Sequence, residues 1–158
     1  MNAISLYQPW ASAIPAGLKT IETRGWPAPH SAINRLIAIC AAKRNTWEEL
    51  GWWDFNVRPN PGYLAAFKRL GIASYEDLPR GKIVATALLV HCAPTDLPPP
   101  THLRGGPHDP EWGDFSAGRF AWFLRDIQPI FPPVDVIGRQ GLFTIPDATI
   151  AAAAVPRL

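Results

Sequence analysis

Eighteen prolines and twelve glycines are spread through 158 residues, and no other feature limits the fold more. Proline cannot donate to a backbone ladder and glycine weakens the interior of any element, so regular structure must come in short pieces. Between these breaks, alternation and short apolar runs predict strands at 3–6, 20–24, 36–41, 82–91, 119–127 and 141–145. Helical signals are fewer. Pro9 is placed to start a short helix that ends before Gly17. Thr46 and Glu49 have the spacing of a capping box, opening a helix through Trp52 and Trp53. The segment 63–70 carries apolar residues at Tyr63, Leu64, Phe67 and Leu70, with Lys68 and Arg69 outward and Gly71 as the stop. Strands outnumber helices, and Ile83 to Val90 is apolar on both faces. That combination predicts an α+β, mainly β fold, a small barrel or folded sheet wrapped by short helices rather than a doubly wound sheet.

A chain of this length forms one domain that hides roughly 70% of the surface an unfolded chain exposes, and it needs no metal or disulfide staple. Its longest apolar runs, 36–42 and 83–90, fall far short of the roughly 20 residues of a membrane span, so no membrane segment is expected. The N-terminal MNAISLYQPW has no basic region followed by an apolar stretch, which makes the cytoplasm the expected compartment. Cys40 and Cys92 both sit in apolar runs, where two buried thiols are expected in place of a bridge. Net charge is only +2, yet eleven of the fifteen basic residues are arginine. The planar guanidinium fork suits phosphate and nucleotide recognition, although a GC-rich genome gives the same bias.

The chemistry available is narrow. His30, His91, His102 and His108 show no metal-ligand spacing with each other or with the cysteines, and His91 and Cys92, adjacent on a strand, point to opposite faces. No metal and no cofactor are expected. Neither a GxSxG elbow nor a GxGxxG or GxxxxGK[ST] phosphate loop occurs. The long irregular stretch 93–118 holds Asp109, Glu111 and Asp114, which read as paired carboxylates or, more simply, as a solvated acidic loop. Loops of that length are usually functional or mobile. The tail 149–158 is expected as a frayed helical turn or disorder.

What remains is the stretch GLKTIETRGW at 17–26. On a strand over 20–24, a period of two puts Thr20, Glu22 and Arg24 on one face and Ile21 with Thr23 on the other, with Lys19 at the preceding turn. Glu22 then lies between two cations. Such a trio is either a surface salt-bridge cluster of small energetic weight, the simpler reading on composition alone, or a rigid polar element with spare donors.

The pattern Gly17, Lys19, Glu22, Arg24, preceded by SLYQPWASAI, resembles the signature of the ASCH domain, the activating-signal-cointegrator homology family. PRGKIVATALLV is similar to its middle strand, and GRFAWFLRDIQPI with PVDVIGRQGLF to its C-terminal strands. The likeness covers most of 4–145. It implies a PUA-like β-barrel over 1–148, with 46–78 a helical insertion and 93–118 a long inserted loop. It also implies a cleft beside the barrel that receives RNA or a single nucleotide. There Lys19 and Arg24 would meet phosphate or base edges, and Glu22 would orient them or accept from a base amino group. Tyr7, Trp10 and Trp26 bracket the motif and could stack on bases, Trp10 being otherwise a core residue. Arg119, Arg139 and Gln140 are second-rank candidates for the same cleft.

Two alternatives travel with this reading. Some small bacterial relatives hydrolyse acetylated cytidine with a lysine, a threonine three residues later and a distant glutamate. Here Lys19 matches, but Glu22 stands where the threonine would be, and Thr20 and Thr23 are out of register. That departure removes the hydroxyl nucleophile and favours the charged lysine over the neutral base. Other members resemble RNA-cleaving enzymes, for which Lys19, Tyr7 and Ser116 could cooperate, with only Lys19 supported by the motif. The second alternative is a protein-interaction domain that uses the seven tryptophans, including an exposed Trp52 and Trp53 pair.

Overall fold

A computed structural model describes residues 1–151 and 153. Six strands form one mixed sheet: β1 (Asn2–Leu6), β2 (Ile21–Arg24), β3 (Arg35–Ala41), β4 (Lys82–Pro94), β5 (Phe120–Asp135) and β6 (Leu142–Thr144). Their order is β2-β5-β4-β3-β1-β6, with β1 and β3 parallel and every other pair antiparallel. The ladder between β4 and β5 shifts register at three places, 83/85, 86/88 and 89/91. Each shift sharpens local twist. The sheet therefore curls into a half-barrel whose open seam lies between its two ends, and Arg24 of β2 reaches across to donate 3.0 Å to Ser5 O of β1.

The concave side is filled by Ile4, Leu6, Ile37, Ile39, Leu89, Trp122 and Leu124, all buried. The runs that are apolar on both faces are explained by a second layer. Ala3, Ala38, Cys40 and Ile83 pack on the other side against Ile130, Ile145 and Ile150. The last of these belongs to α5 (Ala148–Ala151), and the rest of the expected 149–158 tail, apart from Ala153, lies outside the described residues.

Short helices wrap this sheet. α1 (Trp10–Ala13) is only one turn, shorter than the 9–16 expected. α2 (Trp47–Trp52) opens where the capping box predicts, with Thr46 Oγ1 accepting from Glu49 N at 3.2 Å. The reciprocal half of the box is not made. Glu49 is buried and instead pairs with Arg80 Nη1 at 3.0 Å. The chain continues as a π-helical turn over Trp53–Val57 before α3 (Pro61–Lys68), capped by Asn60 on Tyr63 N at 3.1 Å. Trp53, Val57, Tyr63, Phe67 and Tyr75 make a second core with Trp112 of the 93–118 stretch. The Trp52 and Trp53 pair is thus not an exposed surface: Trp53 is 3% exposed, while Trp52 packs between Trp10 and Trp112 with ring centroids 5.2 Å and 4.6 Å away. The exposed aromatics of this region are Trp47 and Phe55.

Both cysteines are free. Cys40 is buried in the sheet and its thiol is pushed up to about 12 by that burial. Cys92 is only half-buried, and its thiol is raised by burial despite a hydrogen bond received from Ala28 N. Among the described residues no helix is long and apolar enough to cross a membrane, and no three His, Cys, Asp or Glu side chains are grouped to hold a metal.

Candidate functional site

Strand β2 pairs with β5 on one side only, Glu22 lying opposite Trp122, so its other edge faces the seam. Just before it, Lys19 turns inward and is 1% exposed. Its Nζ donates at 2.8 Å to Ile21 O and at 2.8 Å to Trp112 O, and stands 3.1 Å from Glu22 Oε2. On the other side of the carboxylate, Arg24 Nε is 3.7 Å from Glu22 Oε1, too long for a hydrogen bond. The Arg24 guanidinium lies over Trp26, 5.7 Å from the ring centroid. Glu22 does sit between two cations, as strand periodicity predicts, but Lys19 and Glu22 are buried and Arg24 is partly so, unlike a solvated surface cluster.

What encloses it comes from the 93–118 stretch. A one-turn helix, α4 (Asp109–Trp112), packs against the start of β2. The expectation of a solvated acidic loop fails at Asp109, which is 3% exposed. Its carboxylate accepts from Thr20 N at 2.7 Å, Thr20 Oγ1 at 2.6 Å, Ile21 N at 3.0 Å and Gly106 N at 2.6 Å. Thr20 is thus held on two sides, its N–H and hydroxyl by this carboxylate and its carbonyl by Leu124 N of β5 at 2.9 Å. Gly105 is required beside it, since a Cβ there would stand 2.7 Å from Ile21 Cδ1 and 2.8 Å from Asp109 Oδ2. The other two acids differ. Glu111 accepts from the Tyr63 hydroxyl, and Asp114 is exposed and held below the usual carboxylate range by the Ser116 hydroxyl and N–H.

Together these elements bound a cleft of about 880 Å³, within the roughly 300–1,000 Å³ range of ligand pockets. All nine residues singled out from sequence line it: Tyr7, Trp10, Lys19, Glu22, Arg24, Trp26, Arg119, Arg139 and Gln140. They come from separate parts of the chain. Arg119 is anchored by hydrogen bonds to Thr23 O at 3.0 Å and Asp114 O at 3.2 Å, whereas Arg139 and Gln140 are exposed on the loop before β6. Ser116 is not part of the wall; its Oγ donates to Asp114 Oδ1 at 2.6 Å. Sequence reasoning did not place Trp52, Trp112, Lys43, Arg44 or the loop acids Glu111 and Asp114 in this cleft, which they also line. One signal was available for Trp112, the largest apolar side chain in a loop dominated by Pro, Gly and charged residues. Six cationic side chains face three carboxylates here, a local excess of positive charge in a chain of net charge +2.

Behind the wall, the Tyr63 phenol is raised above its ordinary value, first by burial and then by the hydrogen bond and charge of Glu111, with Trp112 opposing. A raised folded-state value means stability that is complete below the unfolded pKa of about 10 and is lost as pH rises through the folded value. Urea unfolding between neutral and strongly alkaline pH is expected to show a decline beginning near pH ~10, smaller in Tyr63→Phe than in wild type. Equal declines in the two proteins would contradict this assignment.

The curled mixed sheet, its flanking short helices and the cleft at the seam define a PUA-like α+β domain. The model of the ASCH domain matches residues 4–103, nearly two thirds of the chain, and the protein belongs to that family. The fold is also similar to solved ASCH structures from Zymomonas mobilis. A tyrosine-to-phenylalanine variant of that protein matches with TM-score 0.53 at 20% identity, covering 94% of this chain and 91% of that one. The unsubstituted protein matches with TM-score 0.51 at 18% identity, covering 94% and 89%. A serine-to-alanine variant matches with TM-score 0.50 at 18% identity over the same shares. The ASCH family is broadly RNA-binding in character.

Proposed function

We propose that the cleft binds single-stranded RNA or a nucleotide presented alone, with phosphates on its basic rim and bases against its aromatic wall. One observation carries this reading: a single cleft combines an excess of cations, most of them arginine, with Tyr7, Trp10, Trp26 and Trp52. Arginine holds phosphate bidentately, and stacking of a base on an aromatic ring contributes about 1–3 kcal/mol. Family membership supports RNA as the polymer.

Binding without turnover is favoured over hydrolysis by the state of the motif. Lys19 Nζ already donates to two backbone carbonyls beside its ion pair with Glu22, so it is not poised to take a proton. Ser116 Oγ is engaged with Asp114 and off the cleft, which leaves Tyr7 without the hydroxyl partner an RNA-cleaving arrangement would need.

The test is titration of a short fluorescent single-stranded RNA at several salt concentrations, each sample then run on a denaturing gel. Binding is expected to weaken with salt and the RNA to stay intact. Arg44→Ala with Arg139→Ala, two exposed rim residues, is expected to lower the slope of log K against log salt by about 1.4, about 0.7 for each phosphate of a single strand that is no longer neutralised. Shortened RNA would move the reading to a hydrolase, and no binding at low salt would overturn it.

A further inference from the structure

The ion pair of Glu49 with Arg80 lies behind the cleft, neither residue being part of its wall. Their side chains are 3% and 19% exposed. At such burial an ion pair seldom stabilises a fold more than apolar packing of the same volume would, so its contribution lies in geometry.

That geometry is one-sided. Arginine and carboxylate commonly meet fork to fork, through two parallel hydrogen bonds. Here only Arg80 Nη1 meets the carboxylate, 3.0 Å from Glu49 Oε2, and the same nitrogen donates at 3.0 Å to Arg44 O. Glu49 Oε1 and Arg80 Nη2, both buried, have no partner among the described residues. The guanidinium is thus turned toward the backbone at Arg44 and forgoes its own bidentate contact. Glu49 does likewise: three residues after Thr46, it leaves the reciprocal half of the capping box unmade and turns to Arg80. Tyr75 completes the arrangement, its ring centroid 5.1 Å from the Arg80 guanidinium carbon and its hydroxyl donating to Asn45 Oδ1.

The segment held in this way, 42–46, joins β3 to α2 and carries Lys43 and Arg44, two of the six cations that line the cleft. Both are exposed. The ends of the segment are fixed as well, by Ala42 N on Leu6 O at 2.8 Å and by the Thr46 cap. A loose loop gives up backbone freedom when it binds, whereas one already fixed does not. We infer that Glu49, Arg80 and Tyr75 are positioning residues for the basic rim: the buried pair presets the backbone of 43–46, so that Lys43 and Arg44 meet phosphate without first ordering their segment. The inference rests on the cleft's being a nucleotide site and gives a role in it to residues that do not touch the ligand.

The experiment is a double-mutant cycle on the binding of a short fluorescent single-stranded RNA by wild type, Arg80→Met, Arg44→Ala and the double variant, with amide exchange on the free proteins. Arg44→Ala keeps the carbonyl that Arg80 holds, so the two substitutions are expected to add in urea unfolding. In binding they are expected not to add. Arg80→Met should lower affinity about threefold to tenfold while Arg44 is present, the range for ordering one long side chain on association, and at least about twofold less when Arg44 is absent. In the free protein, exchange at Glu49 and Leu50, whose N–H groups rest on Thr46, should accelerate in Arg80→Met more than at Ile37 or Ile39. Tyr75→Phe keeps the ring beside the guanidinium and removes only the hydroxyl; it should show the same coupling at smaller size, and it supplies the test if Arg80→Met gives no cooperative thermal transition. Additive losses in binding would overturn the inference and leave the nucleotide reading standing, because Arg80 would then act on the ligand directly or on the whole fold. Unchanged exchange at Glu49 and Leu50 would overturn it too, by showing that the pair does not hold the segment. Absence of RNA binding by wild type at low salt would overturn the nucleotide reading and the inference with it.

Discussion

Lys19→Met is expected to destabilise the protein by about 3–5 kcal/mol, the range for removing one partner of a buried ion pair. Glu22 would keep its charge at 9% exposure with only Arg24 nearby, beyond hydrogen-bonding distance, and Ile21 O and Trp112 O would each lose their donor. For domains whose total stability is about 5–15 kcal/mol, such a loss is large. Urea unfolding followed by circular dichroism measures it. Adding Glu22→Gln to Lys19→Met removes the stranded charge and is expected to recover a substantial part of the loss. Glu22→Gln alone should be milder, because its amide oxygen remains within reach of Nζ. A loss below about 1 kcal/mol in Lys19→Met would mean that the trio behaves like a surface cluster.

Asp109→Ala is the second large effect, expected at about 3–5 kcal/mol. One carboxylate satisfies three backbone N–H groups and a hydroxyl in a water-poor site, and each buried donor left without a partner costs about 1–3 kcal/mol, not fully additive. The damage should also be local. Amide hydrogen exchange at Thr20, Ile21 and Gly106 is expected to accelerate far more than at Ile37 or Ile39 in the buried β3 strand. Asp109→Asn retains one acceptor oxygen and should fall between wild type and alanine. Unchanged exchange at those three amides would show that α4 is held in place by Trp112 packing alone.

These two residues also show where the sequence was readable and where it was not. Lys19, Glu22 and Arg24 could be placed together because strand periodicity is local: three residues fix the face on which a side chain emerges. Asp109 could not, because its partners at 20 and 21 are nearly ninety positions away and a carboxylate in a Gly/Pro loop has the same local signature whether solvated or buried. Strand positions emerged for the same local reason, with β1, β2, β3 and β6 all within a residue or two of expectation. β4 runs three residues past its expected end, to Pro94, and the large exception is β5, expected to end at 127 and observed to reach Asp135 through Pro129, Pro132 and Pro133. Those prolines read as breakers, but β2 pairs only with 120–123, so beyond that point β5 is an edge strand on which a missing N–H is tolerated. Trp52 illustrates a different limit. Its helix was legible from the Thr46 cap, but a single helical turn does not say which of two neighbouring tryptophans faces the core and which the cleft.

The seam-side wall has one practical consequence. Four of the seven tryptophans, Trp10, Trp26, Trp52 and Trp112, line the cleft, and three of them are packed ring against ring. Indole emission depends on solvent contact and on neighbouring rings, and more than half of the protein's indoles stand where a ligand would settle. The molecule carries its own optical reporter of occupancy, and a screen of unlabelled compounds needs nothing attached to either partner.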